Sequence, residues 1–167
     1  KKAVDGIVTR GNYPAKVTAT TDRREVLKDA DGGVTTIAVG TNRDFYNDVA
    51  IPSSYGLSIN VGDTRGPSAV FRFLRTLPQM LDILRDMEEL CPGAVWLNYT
   101  NPMAMLAGYM QRYTKIKTVG LCHSVQVCSE GLLNRLGMQD KLEGRKEKIA
   151  GINHMAWLLE IQGKDGN

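Results

Sequence analysis

The chain has no run of about 20 apolar residues, so it has no segment long enough to cross a bilayer as a helix. Its three cysteines, Cys91, Cys122 and Cys128, are an odd set without C-x-x-C spacing, which argues against a disulfide framework and a zinc knuckle. Charge of one sign is also scarce. Lys and Arg total 21 against 18 Asp and Glu, a formal net charge of +3, and an acid interrupts even the densest basic run, Arg145-Lys146-Glu147-Lys148. That pattern leaves no electrostatic footprint for nucleic acid. The start carries no signal-peptide pattern, so the expected compartment is the cytoplasm. A G-x-G-x-x-G phosphate cradle is absent from these residues, and spacing alone does not identify a dinucleotide enzyme.

What remains is an apolar share of 43% over 167 residues, enough to bury the core of one domain. The absence of Met at Lys1 and the turn signal at Gly163-Lys164-Asp165-Gly166-Asn167 predict a piece of a longer chain. Along the sequence, β-type and helix-type patterns alternate. Val17 to Ala19 reads as a short strand, Thr21-Asp22 as the cap of a helix running to about Ala30, and Val34 to Val39 as a buried strand ending at Gly40. Residues 42–65 read as a long loop of the kind that serves as a lid or binding segment. From Ser68 to Leu90, apolar residues at steps of three and four predict a long amphipathic helix, kinked or split at Pro78. A strand at Ala94 to Leu97, a helix from Met103 to Tyr113, a strand at Lys117 to Gly120 and a helix from Ser124 to Leu136 follow. Glu147 to Ile152 and Ala156 to Ile161 then read as strands on either side of His154. Such alternation predicts an α/β fold, a parallel sheet covered by helices.

Three polar clusters fall at predicted strand ends, where parallel-sheet enzymes present groups to ligands. The first is Asn98-Tyr99-Thr100-Asn101-Pro102, whose amides suit a turn, a sugar hydroxyl or a nicotinamide carboxamide. The second is Cys122-His123-Ser124. The third is Asn153-His154. Cys122 and His154 offer one thiolate and one imidazole, two ligands where a structural zinc site takes four. The incomplete set fits an open catalytic metal with positions left for water or substrate. Taken singly, Cys122 also reads as a small buried hydrophobe. Gly62-Asp63-Thr64-Arg65-Gly66-Pro67 reads as a helix-capping turn, with Arg65 facing a cleft as the functional alternative.

In order and spacing, Asn98-Tyr99-Thr100-Asn101-Pro102-Met103-Ala104-Met105, Cys122-His123-Ser124-Val125-Gln126 and Gly151-Ile152-Asn153-His154-Met155-Ala156-Trp157 resemble glycoside hydrolase family 4, in particular its α-galactosidase branch. The resemblance continues upstream through Asp29-Ala30-Asp31, Tyr55-Gly56 and Arg85 to Pro92. It implies a Rossmann-like fold related to lactate and malate dehydrogenases, with NAD and a divalent metal, usually manganese, as cofactors. Residues 1–123 would be the later part of the NAD-binding domain and 124–167 the start of an α+β substrate domain. The implied reaction oxidises sugar carbon 3, removes the acidified proton at carbon 2, expels the aglycone, adds water and returns the hydride, unlike the two-carboxylate route.

By the same resemblance, Cys122 and His154 would hold the metal, and Asn101 would contact substrate hydroxyls, with Arg65 as a further substrate contact. Asn98 would lie near the nicotinamide, with Gly40 as a second cofactor contact. His123 would assist departure of the aglycone, and His-Ser after the cysteine points to unphosphorylated α-galactosides. The partner is a small-molecule glycoside, and the whole protein is expected to be a homo-oligomer. The family's phosphate loop would precede Lys1 and its catalytic base would follow Asn167, so the chain by itself is expected to be inactive. Two rivals stand beside this reading. A 2-hydroxy-acid dehydrogenase shares the Asn-Pro pair but has no use for the strand-end cysteine, and a sugar or nucleotide sensor would keep the fold without turnover.

Overall fold

The structure, a computed structural model, describes residues 1–59, 64–164 and 166. Three short parallel strands, β1 (Gly32–Thr35), β2 (Val95–Asn98) and β3 (Lys117–Gly120), form a sheet in that order. The helices α1 (Lys2–Arg10), α2 (Arg23–Leu27), α3 (Asn42–Ser54), α4 (Gly66–Leu90), α5 (Met103–Tyr113) and α6 (Ser124–Arg135) precede, connect and follow them. A 3-10 turn at Gln139–Lys141 then leads into an antiparallel pair, β4 (Lys146–Ile152) and β5 (Met155–Gln162). Helix–strand alternation with parallel pairing makes this a Rossmann-like α/β fold. No helix among the described residues is long and apolar enough to cross a membrane.

Register explains where the core sits. Gly33, Trp96 and Thr118 lie side by side, as do Thr35, Asn98 and Gly120, and the two rows share one face because side chains alternate along a strand. Under that face, Met80, Leu84 and Met87 of α4 and Leu106 and Met110 of α5 join Trp96 and Ile116 in one buried cluster. On the opposite face of the sheet, Val34 is 62% exposed and its row-mate Val119 is also open.

Helices α4 and α5, strands β2 and β3, and the β4–β5 hairpin lie where their periodicity places them. Other expectations need correction. No strand forms at Val17 to Ala19, and β1 is an edge strand paired only with β2 among the described residues. The strand predicted at Val34 to Val39 ends at Thr35 and is not buried at Val34, since beyond Thr35 the Ile37 N–H is drawn to the Thr100 hydroxyl at 2.9 Å. The helix after Asp22 stops at Leu27 rather than Ala30. The opening segment, polar in sequence, is α1, whose side chains are exposed or half-buried.

The largest correction is α3, which fills much of the segment expected as a loop. Thr41 and Asp44 make a reciprocal capping box that starts it: the Thr41 hydroxyl accepts from Asp44 N, and the Asp44 carboxylate accepts from Thr41 N at 2.7 Å. Pro52 sits in the last turn, where it removes the hydrogen bond that would run to the carbonyl of Asp48, and the helix ends two residues later. Helix α4 runs unbroken through Pro78, because the core contacts of Met80, Leu84 and Met87 outweigh one lost backbone hydrogen bond. Of the predicted turn before α4, Gly62 and Asp63 lie outside the described residues, as do Asp165 and Asn167 of the final turn signal.

Candidate functional site

The three strand ends are laced together by hydrogen bonds. Tyr99 N donates to Thr35 O at 2.9 Å, Ile37 N to Thr100 Oγ1 at 2.9 Å, and Leu121 N to Asn98 O at 2.9 Å. The Asn98 side chain is fully buried and serves its own loop, with Nδ2 donating to Thr100 O and Oδ1 accepting from Thr100 N, both at 3.1 Å. Asn101 accepts from Met103 N through Oδ1 at 3.2 Å, fixing the start of α5 after a cis Asn101-Pro102 bond. This loop presents the Tyr99 ring to the His123 imidazole, with centroids 5.7 Å apart. Strand ends two and three therefore form one polar ledge.

Cys122 occupies that ledge half-buried, two residues before α6, with its sulfur 3.2 Å from Ser124 Oγ. Burial pushes the thiol pKa up. The Ser124 hydroxyl, the Ser124 backbone, the Asn153 side chain and the His123 backbone together outweigh burial and set it below the ordinary thiol value. Burial acts alone on Cys91, whose pKa is raised. Iodoacetamide at neutral pH is therefore expected to label Cys122 ahead of Cys91. Peptide mass mapping of a time course checks this, and labelling of Cys91 first would contradict the assigned electrostatics.

The Asn153 side chain that acts on the Cys122 thiol belongs to the β4–β5 turn. Asn153 and His154 form the two-residue connection between the paired residues Ile152 and Met155, and His154 adopts a left-handed φ of 60°. Its Nδ1 lies 2.7 Å from Thr64 Oγ1, so the approach to α4 reaches the same hairpin tip. Arg65, next to Thr64, caps α4 through its backbone and is exposed. The structure thus brings Asn101, Cys122, His123 and the Asn153-His154 turn to neighbouring elements, with Thr64 on the hairpin side.

Gly40 belongs to a different corner. At φ 116° it occupies backbone space unfavourable to other residues, and an added Cβ would lie 2.7 Å from Arg75 Nε. Arg75 donates Nε to Val39 O at 2.9 Å and grips Asp48 with both terminal nitrogens, which holds its pKa above the usual range. Asp48 and Arg75, with Asp44, Asn47, Ile51, Pro52 and Phe71, line a cavity of about 400 Å³ between α3 and α4. The chain from β1 to α3 is set by this ion pair.

The family 4 glycosyl hydrolase model matches residues 1–138. The chain belongs to that family. Family 4 relatives include an alpha-galactosidase from Bacillus subtilis (strain 168), 49% identical over 98% of this chain and 37% of its own length. An alpha-galactosidase from Rhizobium meliloti (strain 1021) is 39% identical over 97% of this chain and 33% of its own length. Among solved structures, a 6-phospho-beta glucosidase from Thermotoga maritima, determined with manganese, NAD+ and glucose-6-phosphate, superposes with a TM-score of 0.81. It is 23% identical, over 98% of this chain and 39% of that one. This chain therefore spans well under half the length of the family 4 proteins it matches.

Several contacts that build this candidate site are not legible in the sequence. Thr100 ties together the first two strand ends, Ser124 touches the thiol, Thr64 meets His154, and Arg75 with Asp48 fixes the corner at Gly40. Only Ser124 carried a local signal, its place two residues after the cysteine. The others act over separations of 27 to 90 residues, which no short motif records.

Proposed function

We propose that the whole protein is an NAD- and divalent-metal-dependent glycoside hydrolase acting on α-galactosides, with manganese as the metal. The observation that carries this reading is Cys122 at the C-terminal end of a parallel sheet, in a chain that matches the family 4 model and is 49% identical to an alpha-galactosidase. Among the described residues no three His, Cys, Asp or Glu side chains gather as a metal-holding group. A thiolate and an imidazole nevertheless fit an open first-row divalent site whose other positions go to water and substrate. When bound, the metal supplies Lewis acidity at a sugar oxygen and NAD supplies a reversible hydride acceptor.

The residues of the chain divide the remaining work. Cys122 and His154 hold the metal, and the Thr64 contact at Nδ1 orients the imidazole in the manner common to ligating histidines. Asn101, anchored by its bond to Met103 N, orients substrate hydroxyls, and Arg65 is a second substrate contact. His123, with its ring against Tyr99, delivers a proton to the departing aglycone. Asn98 supports the nicotinamide side by holding the Thr100 loop from beneath, and Gly40 lets the chain after β1 pass close to the cofactor.

The domain division at residue 123 belongs to the same reading. It is supported by the way α6 ties to β4, where Ser129 donates to Glu147 at 2.6 Å and Arg145 donates to the same carboxylate at 2.7 Å. A cytoplasmic location and a homo-oligomeric state complete the proposal. Release of nitrophenol from nitrophenyl α-galactoside by the whole protein tests it, with NAD and manganese each added or withheld under reducing conditions. Activity that requires both is expected. Activity indifferent to both additions would refute the redox mechanism, and activity confined to 6-phosphoglycosides or glucuronides would keep the mechanism and overturn the substrate.

A further inference from the structure

The β4–β5 hairpin carries His154, yet neither of its strands contains a buried residue. Ile152, Met155, Trp157 and Leu159 are exposed, and the main core cluster includes nothing beyond Ile116. Among the described residues, apolar burial therefore does little to fix where the hairpin lies, and polar contacts carry that task. One of them is the meeting of His154 with Thr64 at the tip. Another lies at the base. Ser129, in the middle of α6, is fully buried, and its hydroxyl donates to Glu147 Oε1 at 2.6 Å. Arg145, directly before β4, donates Nε to the same carboxylate oxygen at 2.7 Å and to Ser129 Oγ at 3.4 Å, while its Nη1 donates to Leu142 O at 2.9 Å.

A serine inside a helix ordinarily faces water or bonds back to the carbonyl four residues earlier. Ser129 does neither, since its hydroxyl reaches across to a strand. Burial makes that partner necessary, because a hydroxyl taken out of water without a hydrogen bond is costly. The Arg145 and Glu147 side chains are only 18% and 20% exposed, and a carboxylate that accepts from both a guanidinium and a hydroxyl makes charge-assisted bonds of the stronger kind. The Ser129 hydroxyl, and after it Arg145, hold the Glu147 carboxyl below the usual carboxylate range against the opposing effect of burial.

Cys122 stands two residues before α6, and His154 two residues after β4. The contact between Ser129 and Glu147 thus joins the two elements that carry the proposed ligands. Resting on the metal reading above, we propose that Ser129, Arg145 and Glu147 are positioning residues, a clasp that keeps the His154 imidazole within reach of the ion held by Cys122. With the clasp cut, the hairpin is free to swing about its base. The fraction of molecules with both ligands in range then falls, and the apparent affinity for the ion falls with it.

Manganese binding to the whole protein, followed by the electron paramagnetic resonance of free Mn2+, gives affinity and the number of sites separately. Ser129→Ala cuts the clasp at α6 and keeps the helix, alanine being the stronger helix former, and Glu147→Ala cuts it at β4. Each is expected to weaken manganese binding about tenfold, with a site kept in every chain. The double variant should bind no more weakly than either single one, because both break the same link. Glu147→Gln keeps an acceptor oxygen and should restore most of the affinity. A merely structural role gives fewer sites at wild-type affinity, and that result would overturn the proposal, as would unchanged affinity in both single variants or losses that add in the double one. Cys122→Ser and His154→Ala separate the two levels. If they abolish binding while the Ser129 and Glu147 variants bind as the wild type does, the clasp alone fails. If the wild-type protein binds no manganese, or these two variants bind as well as it does, the metal reading fails and takes the proposal with it.

Discussion

Replacing Cys122 with serine in the whole protein is expected to lower the proposed α-galactosidase turnover by about a thousandfold at micromolar manganese. The magnitude follows from what a Lewis acid contributes. A metal that stabilises charge on a reacting sugar oxygen is worth several kcal/mol, and about 4 kcal/mol corresponds to a factor of 10³ in rate. Serine keeps the shape of the side chain but not a thiolate at neutral pH, so the donor is lost while packing is kept. His154→Ala should produce a loss of the same order, since it removes the other proposed ligand. Neither change should unfold the protein, because Cys122 is only half-buried and His154 is an exposed turn residue. Rates measured across a manganese titration, with thermal melts of each variant, check both parts. A Cys122→Ser enzyme that keeps more than about a tenth of its activity would mean that no thiolate-held metal stabilises several kcal/mol of transition-state charge, the outcome a plain dehydrogenase would give.

That prediction is within reach of the sequence because both proposed ligands sit in motifs that a linear reading detects: an apolar strand, then a polar cluster. The helices α4 and α5 were equally plain, since burial repeats every three or four residues over long spans. Less was legible where one polar contact overrides an apolar pattern. Val34 to Val39 has the composition of a buried strand, yet the Thr100 hydroxyl takes the Ile37 N–H and the ladder ends at Thr35. Helix α3 was hidden for the converse reason, because its start depends on a two-residue capping exchange at Thr41 and Asp44 inside a segment with little apolar periodicity. At the site, identities were readable and partnerships were not. Asn98 stands out in the sequence as a candidate contact, but only the fold shows its amide closed on Thr100.

The largest stability effect is expected at the centre of the sheet, where Gly33 and Trp96 are neighbours in register. Trp96 is 5% exposed and packs into the main core cluster, and a Cβ added at Gly33 would lie 2.4 Å from its ring. The indole therefore occupies the space that a side chain at position 33 would need. Trp96→Ala should cost about 3–5 kcal/mol, through lost apolar burial and the cavity it leaves. Gly33→Ala should cost about 1–3 kcal/mol, because a rigid ring in a packed core has to move to admit even one methyl. The two losses share one volume and should not add. In the double variant the new methyl enters the cavity left by the indole, so the combined cost should fall below the sum by about 1 kcal/mol or more. Urea unfolding of the four proteins in the cycle measures this coupling. Strict additivity would show that Gly33 is required by its backbone alone and not by the ring beside it. Domains of this kind hold only about 5–15 kcal/mol in total, so Trp96→Ala alone should remove a large share of it and lower the urea midpoint clearly.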